Sequence, residues 1–344
     1  MGLYTLAGCL VAAWLSLLIS GNAAYIAARF GLIDQPDGAR KLHIGSIPLL
    51  GGLAVVVPFL LLAITFILWI QPEPTLDIAV GAMAATAIIG CIDDRRGLSV
   101  KLRMLALCGI IATACMLDSS FVLHTLKLHF LPLQISLDPL ATLATIVIVV
   151  GFVNAANLAD GINGQLLGSV LIWCGFIFLY APSERTPFLA LLCCAAVALY
   201  FNLRGKLFSG STGSYALPMF IGLSTIALYR RSGGGFHADL PVLWFWLPVV
   251  DCLRLFAWRA LHNRSPFAAD RNHIHHLLLP LVGDKFAAPV YLAMLAAPGA
   301  VGIFNETAGV TTLIACLALY CVVLSARRIR SASRALALRS TKSA

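Results

Sequence analysis

The residues best suited to chemistry are carboxylates, amides and imidazoles placed at the ends of long apolar runs. Asn154-Ala-Ala-Asn157-Leu-Ala-Asp160-Gly161-Ile-Asn163-Gly164 follows directly on the apolar run 140–153. A carboxylate at the centre of a spanning helix costs roughly 2.5–3.5 kcal/mol, so Asp160 belongs at a membrane mouth or in a polar cavity. Asn154, Asn157 and Asp160 recur every third residue and share one broad face of a helix, which Asp160-Gly161 can end. Simple C-capping is the plainer reading of that pattern. Asp93-Asp94-Arg95-Arg96 closes another apolar run. Paired carboxylates at a helix end suit Mg²⁺, a hard ion that keeps waters and binds through one or two carboxylates plus substrate phosphates. A solvated cap is the bland alternative.

Other polar clusters accompany these two. One is Asp34-Gln-Pro-Asp37-Gly-Ala-Arg40-Lys41-Leu-His43-Ile-Gly45-Ser-Ile-Pro48-Leu-Leu-Gly51-Gly52, and another is Ser209-Gly210-Ser211-Thr212-Gly213-Ser214. The last is Ser265-Pro-Phe-Ala-Ala-Asp270-Arg271-Asn272-His273-Ile-His275-His276. The spacing of His273, His275 and His276 does not place three nitrogens on one helical face, and no cysteine is near, so zinc is disfavoured. With Arg264 and Arg271 they suit an anionic, phosphate-bearing ligand better, the plain alternative being a solvated basic loop. Gly210 to Ser214 suits a turn whose backbone N–H groups face phosphate, although small-residue loops are common. Acids for Mg²⁺, cations for phosphates and a bilayer alongside point to phosphoryl transfer from a nucleotide diphosphate to a lipid. In such transfer the protein mainly positions groups and balances charge.

The elements that must hold these clusters are membrane helices. The chain has 344 residues, 60% hydrophobic and 11% charged, where a water-soluble domain carries about 25% charged residues. Its apolar runs are continuous, as helical spans require, and not the short alternating segments of a β-barrel. The sequence predicts an all-α polytopic membrane protein with about eleven spans of the usual length: 3–29, 48–70, 76–92, 102–117, 139–156, 165–181, 187–203, 213–229, 240–260, 286–304 and 308–326. They form a single multi-span domain over 1–344 that ends in a basic cytoplasmic tail, 327–344. The first run lacks a basic leader and a cleavage site and reads as a span, not a signal peptide. The ten cysteines lie mostly inside apolar runs, without CxxC pairing, and read as packing residues.

Basic residues set the expected orientation. With the N-terminus periplasmic, only Lys127, Arg185, Arg230 and Arg231 of the 24 Lys and Arg fall outside; the others fall in cytoplasmic connections, at the adjoining span ends or in the tail. The net charge of +9 thus belongs to one face and reflects topology and anionic lipid, with no nucleic-acid partner expected. Every polar cluster lies on that cytoplasmic face, which suits an active site there. A transporter would scatter its ionisable groups near the midplane.

In their order along the chain, from residue 34 to residue 276, these clusters resemble those of the polyprenyl-phosphate N-acetylhexosamine-1-phosphate transferases of glycosyltransferase family 4. The run SPFAADRNHIHH resembles the undecaprenyl-phosphate GlcNAc-1-phosphate branch most. The resemblance implies a bacterial inner-membrane enzyme that transfers an N-acetylhexosamine 1-phosphate, GlcNAc 1-phosphate first, from the UDP-sugar to undecaprenyl phosphate. UMP leaves, and a cell-surface glycan such as lipopolysaccharide O-antigen or a cell-wall polymer is begun. It implies Mg²⁺ as cofactor, with Mn²⁺ the substitute. Asp93, Asp94 and Asp160 would be the catalytic and metal-holding acids, and one of the first two the candidate base. Asn154 and Asn157 would support the metal and nucleotide region. Arg264, Asp270, Arg271, His273, His275 and His276 would contact the donor, and Lys41 and His43 the lipid phosphate or diphosphate.

The chain departs from the family pattern at two positions. Asn163 and Ser211 stand where the family has aspartates, and they offer oxygens without charge. A unit-charge pair at 4 Å is worth about 4 kcal/mol at an effective dielectric near 20, so losing even part of this at two positions weakens a metal site. Asp251 matches a further family acid. Two other readings therefore stand beside the transferase: a degenerate relative that binds lipid phosphate or nucleotide without turnover, and a transporter of lipid-linked sugar.

Overall fold

A computed structural model describes residues 2–35, 45–69, 73–130, 133–182, 185–233, 235–265 and 271–340, with the backbone alone at 69 and 327–340. The described chain is helical. Its helices are α1 (Leu3–Gly21), α2 (Ala23–Phe30), α3 (Gly51–Trp69), α4 (Pro74–Arg96), α5 (Val100–Leu117), α6 (Ala141–Ala159), α7 (Gln165–Tyr180), α8 (Arg185–Leu203), α9 (Gly210–Arg231), α10 (Asp239–Leu261), α11 (Ile274–Val282), α12 (Asp284–Gly302) and α13 (Glu306–Ser340). Among the described residues, 9 helices are long and apolar enough to cross a membrane: α1, α3–α6, α8, α10, α12 and α13. Helix α7 is apolar but shorter, at 16 residues. Helix α9, at 22 residues, opens on Gly-Ser-Thr-Gly-Ser and closes on two arginines. Backbone groups in lipid need partners within the chain, and helices supply them.

Three features depart from the sequence expectation. The first apolar run breaks at Asn22, whose side-chain amide donates back to the Leu18 carbonyl, so α1 and α2 are separate helices. Two short antiparallel hairpins also form. Strand β1 (Ile33–Asp34) pairs with β2 (Ile47–Pro48), and β3 (Thr125–Leu128) pairs with β4 (Leu133–Ser136) in the register Thr125 with Ser136. Finally, the histidine cluster starts a helix, α11.

Helix α9 is the axis of the fold. Its residues from Thr212 to Leu223 are all buried, and it packs against α3, α4 and α6. The close approach of α4 depends on Gly90, where a Cβ would lie 2.5 Å from the Thr212 Cα. The start of α3 is tied to the chain entering α9 by Gly51 N–H to the Phe208 carbonyl and Gly52 N–H to the Ser209 carbonyl, both 2.8 Å. The outward faces of α1 and α5 carry exposed Leu10, Trp14, Leu102, Leu105 and Met116, as suits lipid contact. The connectivity gathers the C-terminal ends of α4 and α6, the N-terminal end of α9 and the start of α11 at one end of the helices. The β3–β4 hairpin and the starts of α10 and α13 lie at the other.

Candidate active site

The site is built around the N-terminus of α9. A helix start leaves N–H donors without partners inside the helix. Ser209, at the N-cap, supplies no side-chain cap. Asp94, from the last turn of α4, does so from across the fold: Oδ1 accepts the Ser211 N–H (2.6 Å), and Oδ2 accepts the Thr212 N–H (3.0 Å) and the Thr212 hydroxyl (2.8 Å). The positive end of the helix dipole favours a carboxylate there. Among the described residues no cation joins these partners, and dipoles meet the charge of Asp94.

Asp160 follows the last residue of α6 and approaches the same corner. The Ser209 hydroxyl donates to it, and Asp94 is near enough to act on its charge. Asp160 keeps partial access to solvent, yet burial pushes its carboxyl up to about 7; the Ser209 hydrogen bond opposes that shift and the negative charge of Asp94 adds to it. Among the described residues, these two carboxylates share a poorly hydrated corner with hydroxyls and backbone N–H groups and no cation, so their negative charge is left unbalanced.

Asp93 faces another way. Its Oδ1 accepts the Leu98 N–H (2.7 Å), closing the turn after α4. Its Oδ2 meets the Tyr215 hydroxyl (3.0 Å) and the Arg103 guanidinium (3.3 Å), and Arg103 also donates to the Tyr215 oxygen (2.7 Å). Adjacent aspartates thus differ in their surroundings: among the described residues, Asp93 is balanced by arginine and Asp94 is not. Among the described residues, Asp93, Asp94 and Asp160 do not form a set whose ligand atoms all lie within 4.8 Å of one another.

The amides follow the helix face that their spacing implied. The Asn157 amide donates to the Ser214 hydroxyl (2.6 Å), linking α6 to α9, whereas the Asn154 amide turns back to the Val150 carbonyl (2.8 Å) and toward the Met104 sulfur. Asn163 is exposed in the loop after Asp160, beside Gly205. Buried Asn202 organises that loop by accepting the Gly164 N–H (2.6 Å) and donating to the Leu207 carbonyl (2.9 Å). Ser211 stands at the first turn of α9 beside Asp94.

The histidines do converge, because His273 lies outside the helix as its N-cap while His275 and His276 lie in the first turn. The rings of His273 and His275 stack at 5.6 Å, and those of His275 and His276 are 4.2 Å apart. Asp251, on α10, anchors the group: Oδ2 pairs with His273 Nδ1 (2.8 Å), Oδ1 with Arg254 (2.8 Å) and the Tyr320 hydroxyl (2.8 Å), and both oxygens face the Ile274 N–H. Asp251 is therefore a positioning acid for the histidines and does not replace the charge missing at Ser211. His275 reaches the Asp160 loop. A Cβ at Gly161 would lie 2.0 Å from His275 Nε2, so only glycine lets the imidazole seat there. Burial, then the neighbouring His276 and His273, hold the His275 pKa well below the usual imidazole range, and its ring is neutral at pH 7. Arg264 lies over the Trp258 ring at 5.5 Å, and Arg271 is exposed at the foot of α11. Lys41, His43 and Asp270 lie outside the described residues.

Beside this corner an apolar groove with a cavity of about 270 Å³ runs between α1, α2, α3 and α4, lined by Ile19, Ile26, Phe30, Leu53, Val57 and, at its polar edge, Arg95. The sequence does not single out Ser209, Thr212, Tyr215 or Arg103 as individual site residues. The hydroxyl-rich start of α9 was the available signal for the first three.

The family model described as "Glycosyl transferase family 4" matches residues 76–229. A protein of Yersinia pestis named undecaprenyl-phosphate alpha-N-acetylglucosaminyl 1-phosphate transferase is 32% identical over 303 residues, 83% of this chain and 80% of that relative. The chain belongs to glycosyl transferase family 4. An Escherichia coli K12 relative of the same name is 30% identical over 271 residues, covering 75% of this chain and 71% of its own. A Bacillus subtilis protein named as a probable undecaprenyl-phosphate N-acetylglucosaminyl 1-phosphate transferase is 29% identical over 270 residues, 76% of this chain and 74% of its own. With its apolar helices and these bacterial relatives, this family member is a multi-pass protein of the bacterial cytoplasmic membrane. The matched stretch 76–229 holds Asp93, Asp94, Asp160 and all of α9 but its last two residues.

Proposed function

We propose that this chain transfers N-acetylglucosamine 1-phosphate from UDP-N-acetylglucosamine to undecaprenyl phosphate on the cytoplasmic face, releasing UMP. The observation that carries the reading is the unbalanced pair Asp94 and Asp160 at the start of α9, within a chain whose relatives bear that activity in their names. The donor set fits a hard divalent cation: carboxylate oxygens with a spare lone pair, the Ser209 and Ser211 hydroxyls, and no nitrogen or sulfur. Asp94 and Asp160 would hold Mg²⁺, with Mn²⁺ the substitute. Bound there, the ion would supply charge stabilisation for the donor pyrophosphate as the bond to UMP breaks.

The remaining work falls to the chain's own residues. Neutral His275, buried against Gly161 beside the Asp160 loop, would offer a hydrogen bond to a phosphoryl oxygen seated there without adding charge. Arg264 and Arg271 flank it as cations for the diphosphate. Asp93 holds Arg103 and Tyr215 in place behind the first turn of α9. The groove ending at Arg95 offers apolar cover to a prenyl chain and a guanidinium to its phosphate. That phosphate is already largely ionised near neutral pH, so the attack on the β-phosphate requires positioning more than a base.

The purified protein with UDP-N-acetylglucosamine labelled in the sugar, undecaprenyl phosphate and Mg²⁺ is expected to give a butanol-soluble product and stoichiometric UMP. UMP release without lipid product, or neither, overturns the proposal. A second reading, a relative that binds lipid phosphate or nucleotide without turnover, is favoured by one observation: Ser211 and Asn163 supply no negative charge where the family pattern has acids. Creation of activity only in Ser211→Asp with Asn163→Asp, with none in the wild type, would establish it.

A further inference from the structure

At the end of the helices opposite Asp94, three separate segments bring ligand-bearing side chains together. His129 lies at the turn of the β3–β4 hairpin, His237 in the connection between α9 and α10, and Glu306 at the first residue of α13. One ligand atom from each lies within 4.8 Å of the others, the only such trio among the described residues. His237 Nδ1 is 3.2 Å from Glu306 Oε1, and the rings of His129 and His237 are 5.0 Å apart, inclined by 37°.

The cluster is not balanced as it stands. Among the described residues, Glu306 Oε2 is buried without a hydrogen-bond partner. So is Oδ1 of Asp239, a fully buried carboxylate whose other oxygen accepts the His129 N–H at the same hairpin turn. A buried carboxylate oxygen left unpaired is costly, and two of them beside two imidazoles are the environment of a cation. Two imidazoles and one carboxylate suit a borderline dication of the zinc class, and the set is too rich in nitrogen for Mg²⁺. The exposure of His129 leaves an entry path. Nothing in the proposed transfer uses these residues, which lie at the far ends of α10 and α13 from Asp251 and Tyr320.

We propose that His129, His237 and Glu306 form a zinc site that ties the hairpin turn to the starts of α10 and α13, with Asp239 fixing the backbone of the turn. Three segments far apart in sequence, of which the hairpin has little core of its own, would thereby be held as one surface.

The test uses the full chain in detergent with a Strep tag, stripped with chelator and titrated with ZnCl₂. The wild type is expected to retain one zinc per chain after gel filtration, measured by plasma mass spectrometry. X-ray absorption should show only nitrogen and oxygen neighbours at about 2.0–2.2 Å, which separates the site from the ten cysteines. His129→Ala and His237→Ala should each weaken zinc binding at least tenfold. Glu306→Gln should do the same, and His275→Ala should not, which separates the site from the histidines of α11. Zinc should raise the thermal midpoint of the wild type by a few degrees and leave that of the His129→Ala, His237→Ala double variant unmoved. Since the metal-free proteins are compared first, a folding defect shows before zinc is added. If the double variant also fails to fold, Glu306→Gln carries the same comparison. Equal zinc in wild type and variants, sulfur neighbours, or no zinc in the wild type overturns the proposal.

Discussion

Two helix starts in this molecule are capped by an aspartate from another helix, buried Asp251 at α11 and part-buried Asp94 at α9, and they differ in what balances the charge. At α11, Asp251 meets Arg254, His273, Tyr320 and a backbone N–H. At α9, Asp94 meets two backbone N–H groups and a hydroxyl, with Asp160 as a second negative group nearby. The first site is complete within the chain, and its acid orients histidines. Among the described residues the second has no cation, which is the condition expected where an external cation and a phosphate are to enter. Under the proposed function, what marks the cation-holding acid is not burial alone but the lack of a counter-charge among the described residues.

The strongest way to break the comparison is to neutralise the unbalanced pair. Asp94→Asn and Asp160→Asn are each expected to lower UMP release by roughly 10³-fold, about 4 kcal/mol of barrier. Asn can still accept one N–H at α9, so the loss of its cap should cost only about 1 kcal/mol of stability. Loss of folding with no separate loss of turnover in the folded fraction would erase the distinction between the two caps.

The balanced site should respond in the opposite proportion. Asp251→Asn leaves Arg254 largely buried without its acid, at a cost of about 2–3 kcal/mol, somewhat under that of a fully buried broken pair because Arg254 retains 26% exposure. Thermal unfolding should report this clearly. Turnover should fall only about 10–100-fold, chiefly through a raised KM for UDP-N-acetylglucosamine as the histidines lose their anchor.

A pH series sharpens the same contrast. The Asp160 carboxyl is raised to about 7, so a proton competes with the cation below that pH. The apparent Mg²⁺ requirement should rise about tenfold per pH unit below about 7 and level off above it. The smallest effect is expected from Tyr215→Phe, which takes one hydroxyl from Asp93 but leaves Arg103 and the Leu98 N–H in place. A decrease of a few-fold in turnover is the expected result, since about 1 kcal/mol attends one such hydrogen bond.

The helices were legible because long apolar runs have one solution in lipid, and each expected span overlaps a helix of the structure. The break at Asn22 was not, since the run 3–29 continues its hydrophobicity through a polar residue whose backbone turn is local. The hairpins are too short to carry a period. At the site, Asp94, Asp160, Asn157 and the histidines stood out as polar residues against apolar runs. Their division of labour did not. Whether Asp93 or Asp94 is matched by an arginine depends on Arg103 and Tyr215, and the Tyr215 contact spans 122 positions. The histidines read as one cluster from the sequence, but their stacking does not follow from helical spacing, because His273 precedes the helix.

The central claim is that Asp94 and Asp160 together hold one divalent cation. Mn²⁺ binding followed by electron paramagnetic resonance, with UDP-N-acetylglucosamine present and lipid acceptor absent, tests it most directly. The measurement is best made in a His237→Ala background, so that the opposite end of the molecule does not contribute. One Mn²⁺ per chain, lost in Asp94→Asn and in Asp160→Asn and retained in Asp251→Asn, is the expected result. Unchanged Mn²⁺ affinity in either of the first two variants would contradict it.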